Sequence, residues 1–271
     1  MPTIAQILQT APIPRNETRL LLQHITGYTA SQLITRDHEP LPERQAARLQ
    51  RLIARRSAGE PIAYILGTRE FYGRSFAVSP AVLIPRPETE LLVEAALAHL
   101  PPGGRLWDLG CGSGIIGLTV ALERPDAAVR ASDISPDALA VAQANAAALG
   151  ASIEWAQGSW FTAQPAAEGL FDIIASNPPY IEAGDEHLQQ GDLRFEPASA
   201  LTDFADGLSH IRTLAAQAQG YLKPGGWLLL EHGWNQGEAV RGILAEHGWQ
   251  QVETLRDLAG LDRVSIGRKA V

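Results

Sequence analysis

The chain has 271 residues, 45% of them hydrophobic, and a net charge of −8. That is enough apolar mass for a sizeable core, which excludes a largely disordered chain, and no run approaches the roughly 18 apolar residues of a membrane span. A single cysteine, Cys111, excludes a disulfide framework and a cysteine-cluster zinc site.

Charge is unevenly spread. Residues 1–74 carry +4, with ten arginines and no lysine, and residues 75–271 carry −12. The acidic part is a poor candidate for a nucleic-acid groove, which should be basic. The opening residues Met1 to Thr10 have no basic stretch and no cleavage site. The expectation is a cytoplasmic enzyme, a monomer with no membrane partner.

Residues 1–68 read as a small helical domain. Pro14 opens a helix from Arg15 to Ile25 with Leu20, Leu21 and Leu22 as its core stripe, and Gly27 stops it. Pro42 opens the longest helix, Leu41 to Ser57. There Ala46, Leu49, Leu52 and Ile53 share one face, while Arg44, Arg48, Arg51 and Arg55 share the other.

Residues 69–86 read as a connector. Glu70-Phe71-Tyr72 and Phe76-Ala77-Val78 flank a turn expected at Gly73-Arg74-Ser75, and Pro85-Arg86-Pro87 stiffens the exit.

Residues 87–271 alternate helix and strand. Helices are expected at Glu88–Leu100, Ile115–Glu123, Pro136–Leu149, Leu208–Leu222 and Gln236–His247. Strands are expected at Arg105–Leu109, Ala128–Ser132, Ile153–Ala156, Phe171–Ser176, Trp227–Glu231, Gln251–Leu255 and Val264–Gly267. This pattern predicts an α/β fold with a seven-stranded, mostly parallel sheet covered on both faces. The last two strands, joined by a short connection, should be antiparallel.

The first of these strands runs into Gly110-Cys111-Gly112-Ser113-Gly114 and then a helix. Alternate glycines let the backbone turn tightly and approach a nucleotide-like ligand. The second strand ends at Asp133, where a carboxylate can accept both ribose hydroxyls. Gly112, Gly114 and Gly117 also satisfy the spacing of dinucleotide enzymes, so NAD and S-adenosylmethionine both stay open. Asp108, placed where a methionine ammonium would lie, and glycines that alternate directly from the strand favour the second.

The fourth strand ends in Asn177-Pro178-Pro179-Tyr180, at the carboxyl edge where open α/β sheets bind ligands. Asn177 Oδ1 can accept one N–H of a planar amide or exocyclic amine. The Pro178 carbonyl can accept the other, the prolines hold that carbonyl at a fixed angle, and Tyr180 can stack on the planar group.

With these residues in hand, the chain resembles a class I S-adenosylmethionine-dependent methyltransferase. More closely it is similar to the PrmC/HemK family, which methylates a glutamine side-chain amide in peptide chain release factors. The likeness rests on Gly59 to Gly67, Phe71-Tyr72-Gly73, Leu83 to Glu90, the Asp108 loop and Asp133. It continues through Ser159-Trp160-Phe161, the Asn177 tetrad, Arg194-Phe195-Glu196-Pro197 and Glu231-His232-Gly233. The resemblance implies a Rossmann-like fold with an all-α N-terminal domain that docks the release factor. It implies that Gly110, Cys111, Gly112, Ser113, Gly114, Asp133, Trp160 and Asn177 hold S-adenosylmethionine. It implies that Asn177, Pro178, Pro179 and Tyr180 hold the glutamine, with Asn177 and Pro178 catalytic. Ser159 departs from the acid that many relatives carry before the tryptophan. The rival readings are a methyltransferase acting on an exocyclic amine of a nucleic acid, an NAD-dependent oxidoreductase, and a binding module without catalysis.

Overall fold

Two Thr-x-x-Gln boxes start helices that hydrophobic periodicity alone does not mark. Helix α1 (Ile4–Thr10) is opened by Thr3, whose hydroxyl accepts the Gln6 N–H while the Gln6 side chain accepts the Thr3 N–H. Helix α2 (Arg15–Thr26) begins after Pro14 and ends at Gly27 in the left-handed conformation. Helix α3 (Ala30–Thr35) repeats the box with Thr29 and Gln32. Helix α4 (Glu43–Ser57) follows Pro42, and α5 (Ile62–Leu66) stops at left-handed Gly67.

The computed structural model describes residues 1–163 and 170–271. It divides into two compact units, Met1–Thr68 and Arg69–Val271. The first unit is built around Ile4, Leu21, Leu22, Leu33, Leu49 and Ile65. Leu20, expected in the stripe, is 42% exposed. At 100° per residue, three consecutive leucines cannot all face one core. Arg44, Arg48, Arg51 and Arg55 lie on the exposed face of α4, whereas Arg56 turns inward and grips Glu17 through two hydrogen bonds of 2.7 and 2.9 Å.

The segment expected as a connector belongs to the second unit. Strands β1 (Thr68–Phe71) and β2 (Arg74–Ala77) form a hairpin. Its turn is Tyr72-Gly73, not the expected Gly73 to Ser75. Both turn residues have positive φ, 51° and 72°, the geometry that matches strand twist in a two-residue hairpin. Phe71 and Phe76 are buried in the main core, and Tyr72 N–H is held by Glu90 Oε1 at 3.0 Å.

A 3₁₀ turn, Pro87–Thr89, leads into α6 (Glu90–His99). Then come β3 (Arg105–Leu109), α7 (Ile115–Glu123), β4 (Ala128–Asp133), α8 (Pro136–Leu149), β5 (Glu154–Gln157) and β6 (Phe171–Ser176). The chain continues through α9 (Ala198–Leu201), α10 (Ser209–Gln217), β7 (Leu222–Glu231), α11 (Gly237–Glu246), β8 (Gln250–Arg256) and β9 (Asp262–Arg268). Helix α10 is shorter than expected, because a 3₁₀ turn, Ala218–Tyr221, replaces its last turn before β7.

The sheet has seven strands in the order β5-β4-β3-β6-β7-β9-β8. All neighbours are parallel except β9, which runs antiparallel to both β7 and β8. Alternate side chains feed opposite layers. Ile173, Ala175 and Leu229 pack under α6 and α7, while Ile174, Leu228 and Leu230 pack under α10 and α11 with Trp107. Shortening any of the fully buried leucines to alanine costs about 2–5 kcal/mol. The chain reverses strand order between β3 and β6, and that carboxyl edge is where a ligand crevice opens.

Candidate active site

The crevice begins with the turn after β3. Gly110 and Cys111 both donate their N–H to the Ser132 carbonyl at 2.9 Å, which folds the loop over the end of β4. Gly110, Gly112 and Gly114 all have positive φ, 72°, 53° and 82°, a region that L side chains avoid. A Cβ on Gly110 would lie 3.3 Å from the Trp160 ring, and one on Gly114 would lie 2.9 Å from Leu118 Cδ1. One on Gly112 would meet nothing within 4 Å.

Asp133 ties this loop to the next helix. Its Oδ2 accepts the Gly112 N–H and its Oδ1 the Ser135 N–H, each at 2.9 Å. Each oxygen keeps a lone pair that a hydroxyl could use. From below, the Asn145 side chain donates to the Ser113 carbonyl at 2.9 Å and also holds both backbone polar groups of Ala77.

These residues line a cleft of about 460 Å³, in the range of small-molecule sites. Gly110, Cys111, Gly112, Ser113, Asp133, Ser159, Trp160, Asn177 and Pro179 are on its wall, and Gly114 lies behind the wall under Leu118. Cys111 is buried, and burial pushes its thiol up, well above the ordinary range; it is a small wall residue, not a nucleophile. Trp160 holds a strained φ of 48° and stands 5.1 Å from the His210 ring. Burial lowers the His210 pKa. His210 and Phe204 line the same cleft and were not anticipated. The sequence signal for them was position: Phe204 stands just ahead of the helix expected at Leu208–Leu222, and His210 falls in its first turn.

Asp108 differs from expectation. It is fully buried and is not on the cleft wall. Strand alternation turns it toward α7, where Oδ2 accepts the Gly117 N–H at 2.9 Å, one of the orphan donors of a helix N-terminus. Oδ1 has no hydrogen-bond partner among the described residues. Burial, only partly opposed by the Gly117 N–H, pushes its carboxyl up to about 7.

Strand β6 ends where its sequence turns to proline, which cannot extend a ladder. Ser176 Oγ closes it by donating to the Leu109 carbonyl at 2.7 Å. Along the next four residues the side chains line two different cavities. Pro178 and Tyr180 line a separate slot of about 60 Å³ with Leu83, Ile181 and Leu193. Pro179, expected beside them, faces the large cleft instead. Asn177 and Arg86 line both cavities. Asn177 Nδ2 donates to Thr89 Oγ1 at 3.3 Å, which leaves Oδ1 as the free acceptor end.

Residues 181–207 run along the rim. Ile181 N–H is held by the Leu201 carbonyl and Ala183 N–H by Ala205, both near 3 Å. Asp203 collects the N–H groups of Ala205, Gly207 and Ser209 and the Ser209 hydroxyl. Burial acts to raise its carboxyl, but these donors outweigh it and hold it at about 2.

Arg86 and Glu196 form an ion pair. His232 is fully buried, with Nε2 2.8 Å from Ser265 Oγ and Nδ1 2.9 Å from the Gly233 carbonyl. Burial lowers its pKa, which favours the neutral imidazole. Among the described residues there is no cluster of His, Cys, Asp and Glu that could hold a metal ion.

Known proteins resemble this chain over nearly its whole length. Residues 3–67 match the model of the PrmC N-terminal domain, and residues 87–200 that of the methyltransferase small domain. The chain is 62% identical to the release factor glutamine methyltransferase of Neisseria gonorrhoeae, over 98% of this chain and 97% of that one. It is 46% identical to the protein of the same name from Escherichia coli, over 96% and 94%. Among solved structures, a methyltransferase from Pyrococcus furiosus aligns with a TM-score of 0.57 at 16% identity, covering 83% of this chain and 100% of that one. A 16S rRNA N2 G1207 methyltransferase from T. thermophilus, solved with AdoMet and guanosine, aligns at 0.54 and 22% identity, over 74% and 49%. These two show the fold alone.

Proposed function

The chain belongs to the release factor glutamine methyltransferase family, and we infer that it transfers a methyl group from S-adenosylmethionine to the side-chain amide nitrogen, N5, of the glutamine in the Gly-Gly-Gln loop of class I peptide chain release factors. We propose that it does so as a cytoplasmic monomer, with no nucleic-acid or membrane partner and with residues 1–68 docking the factor. Among the described residues, no helix is long and apolar enough to cross a membrane.

One observation carries the reading. Asn177 stands on the shared wall of a nucleoside-sized cleft and a slot of about 60 Å³. The slot suits a single planar amide, and Asn177 lines it together with the cleft, as do Leu83, Arg86 and Ala200.

The residues of the cleft fit the cofactor. Asp133 has a spare lone pair on each oxygen for a ribose. Gly112 has open space where any other residue would place a Cβ. Trp160 offers an aromatic face on the same wall. Gly110 to Gly114, Asp133, Trp160 and Asn177 would hold it, and when bound it supplies an electrophilic methyl on a sulfonium.

The chain itself does the aiming. An amide nitrogen shares its lone pair with the carbonyl and is a weak nucleophile. Asn177 Oδ1 and the Pro178 carbonyl accept its two hydrogens, which fixes the nitrogen at the mouth of the cleft. Both oxygens are in place before charge develops, so they stabilise positive charge on nitrogen without reorganising. Pro178 and Pro179 have no N–H to compete with the substrate. Tyr180, on the slot wall, covers the planar group. One nitrogen proton is released to water once the new bond has formed, so no strong base is required.

The experiment is mass spectrometry of a Gly-Gly-Gln-containing release factor before and after incubation with enzyme and S-adenosylmethionine. A gain of one methyl on the glutamine is the expected result. Label in DNA or RNA but not in the factor would favour the nucleic-acid reading instead.

A further inference from the structure

Glu231 is an acid with almost no solvent exposure. It stands at the end of β7, and the parallel register pairs Leu230 with Ser176. The next residue on each strand is therefore Glu231 on one side and Asn177 on the other. The Tyr180 hydroxyl donates to Glu231 Oε1 at 3.4 Å. Among the described residues Glu231 Oε2 has no hydrogen-bond partner, and the Thr89 hydroxyl beside the carboxylate favours its charged form. Thr89 is itself fully buried and accepts from Asn177 Nδ2.

Donor arithmetic gives this chain a direction. A threonine hydroxyl has one hydrogen, and an ionised carboxylate can only accept. Thr89 therefore turns its hydrogen toward Glu231 and its lone pairs toward Asn177. Asn177 must then present its NH₂ to Thr89 and its Oδ1 to the slot. Building on the reading of Asn177 as the grip on the target nitrogen, we propose that Glu231 is a positioning residue that, through Thr89, fixes which end of the Asn177 carboxamide meets the substrate. Without that carboxylate, Thr89 is free to donate to Asn177 instead. The carboxamide then turns a donor toward the substrate N–H, which repels it.

The charged state of Glu231 is set by every group that faces it. Burial is the largest influence and disfavours the charge. The Thr89 and Tyr180 hydroxyls and Arg263 on β9 favour it, and Glu88 opposes it. The balance leaves the carboxyl at about 7, so the one-way order is complete only above that pH.

The test compares Glu231→Gln with wild type on a Gly-Gly-Gln-containing release factor at saturating S-adenosylmethionine. The expected result is a kcat lower by about tenfold or more, roughly the value of one lost oriented hydrogen bond. Affinity for S-adenosylhomocysteine should stay within about twofold, and the rise of kcat with pH near 7 should disappear. Thr89→Val should reproduce the loss, Thr89→Ser should recover most of it, and Glu231→Gln combined with Thr89→Val should be no worse than either alone.

Wild-type kcat and pH profile in Glu231→Gln overturn the proposal. Should that variant not fold, equal kcat in Thr89→Ser and Thr89→Val overturns it. Asn177→Ala is run in parallel. Full turnover there removes the reading of Asn177 itself, whereas a dead Asn177→Ala beside a normal Glu231→Gln removes only the role of Glu231.

Discussion

Glu196 binds Arg86 from 110 residues further along the chain, and its other oxygen accepts the Ile84 N–H at 2.9 Å. The Glu196 side chain is wholly buried, while that of Arg86 is about one-third exposed. The pair fastens the Pro85-Arg86-Pro87 segment to the rim beside both cavities.

That difference in exposure predicts unequal effects of breaking the pair. Arg86→Met leaves a buried carboxyl without its cation and should destabilise by about 3 kcal/mol. Glu196→Gln keeps an acceptor for Ile84 and leaves an arginine that water can reach, so it should lose only about 1 kcal/mol. Urea unfolding of the two variants checks the order, and a larger loss in Glu196→Gln would contradict it.

Asn177 and Asp133 should separate rate from affinity. Asn177→Ala removes one aimed acceptor, and the methyl-transfer barrier should rise by about 2–4 kcal/mol, in the range found for single donors in oxyanion holes. Its affinity for S-adenosylhomocysteine should fall by much less than its rate. Asp133→Ala should mainly weaken that affinity, by about 1–3 kcal/mol for the lost charged hydrogen bonds. Calorimetric titration together with single-turnover kinetics distinguishes the two patterns.

The loop glycines should not be equivalent. Gly114→Ala combines a φ of 82° with a Cβ 2.9 Å from Leu118 and 3.2 Å from Ala142, so overpacking adds to backbone strain. A loss of about 2–4 kcal/mol is expected. Gly112→Ala has open space and only the conformational penalty, about 1 kcal/mol, but its methyl projects where the cofactor would pass. It should stay folded and bind S-adenosylhomocysteine poorly. Unfolding curves with and without that ligand provide the measurement.

The contributions of Asp108 and Glu231 to the stability of the ligand-free protein should fall as pH rises between about 4.5 and 7, while the lowered pKa values of His210 and His232 act the other way. Asp108 and Glu231 both keep their protons to about 7 when folded, whereas in the unfolded chain carboxylates release them near 4. Across that window the native state binds more protons at these two carboxyls, so through them raising the pH favours unfolding. The slope is at most about 1.4 kcal/mol per pH unit for each group. Asp108→Asn should flatten part of it in unfolding measured at pH 5 and pH 7.

Much of the fold could be read from local patterns. The strand from Arg105 to Leu109, the glycine loop and the Asn177 tetrad are contiguous, and their periodicity and turn chemistry lie within a few residues. The Thr3-Gln6 and Thr29-Gln32 boxes were equally local signals for α1 and α3, which the apolar pattern alone passed over. What could not be read depends on chain reversals. Glu196 with Arg86, Glu231 with Thr89, and His210 with Trp160 meet only once the sheet has folded. Asp108 shows the converse: its place at a strand end was legible, but strand alternation decides that it faces α7 and not the cleft.

Strand β9 sits between β7 and β8, although it follows both in the chain. Until residues 262–268 have been synthesised, Leu228, Leu229 and Leu230 have no partner on that side. His232 also lacks Ser265, and Glu231 lacks the strand that carries Arg263. A nascent chain stalled or truncated before this strand would expose an apolar, unpaired sheet border, a template for self-association. Maturation of the catalyst is thereby tied to translation of β9: it cannot act on the termination machinery before residues 262–268 have been made.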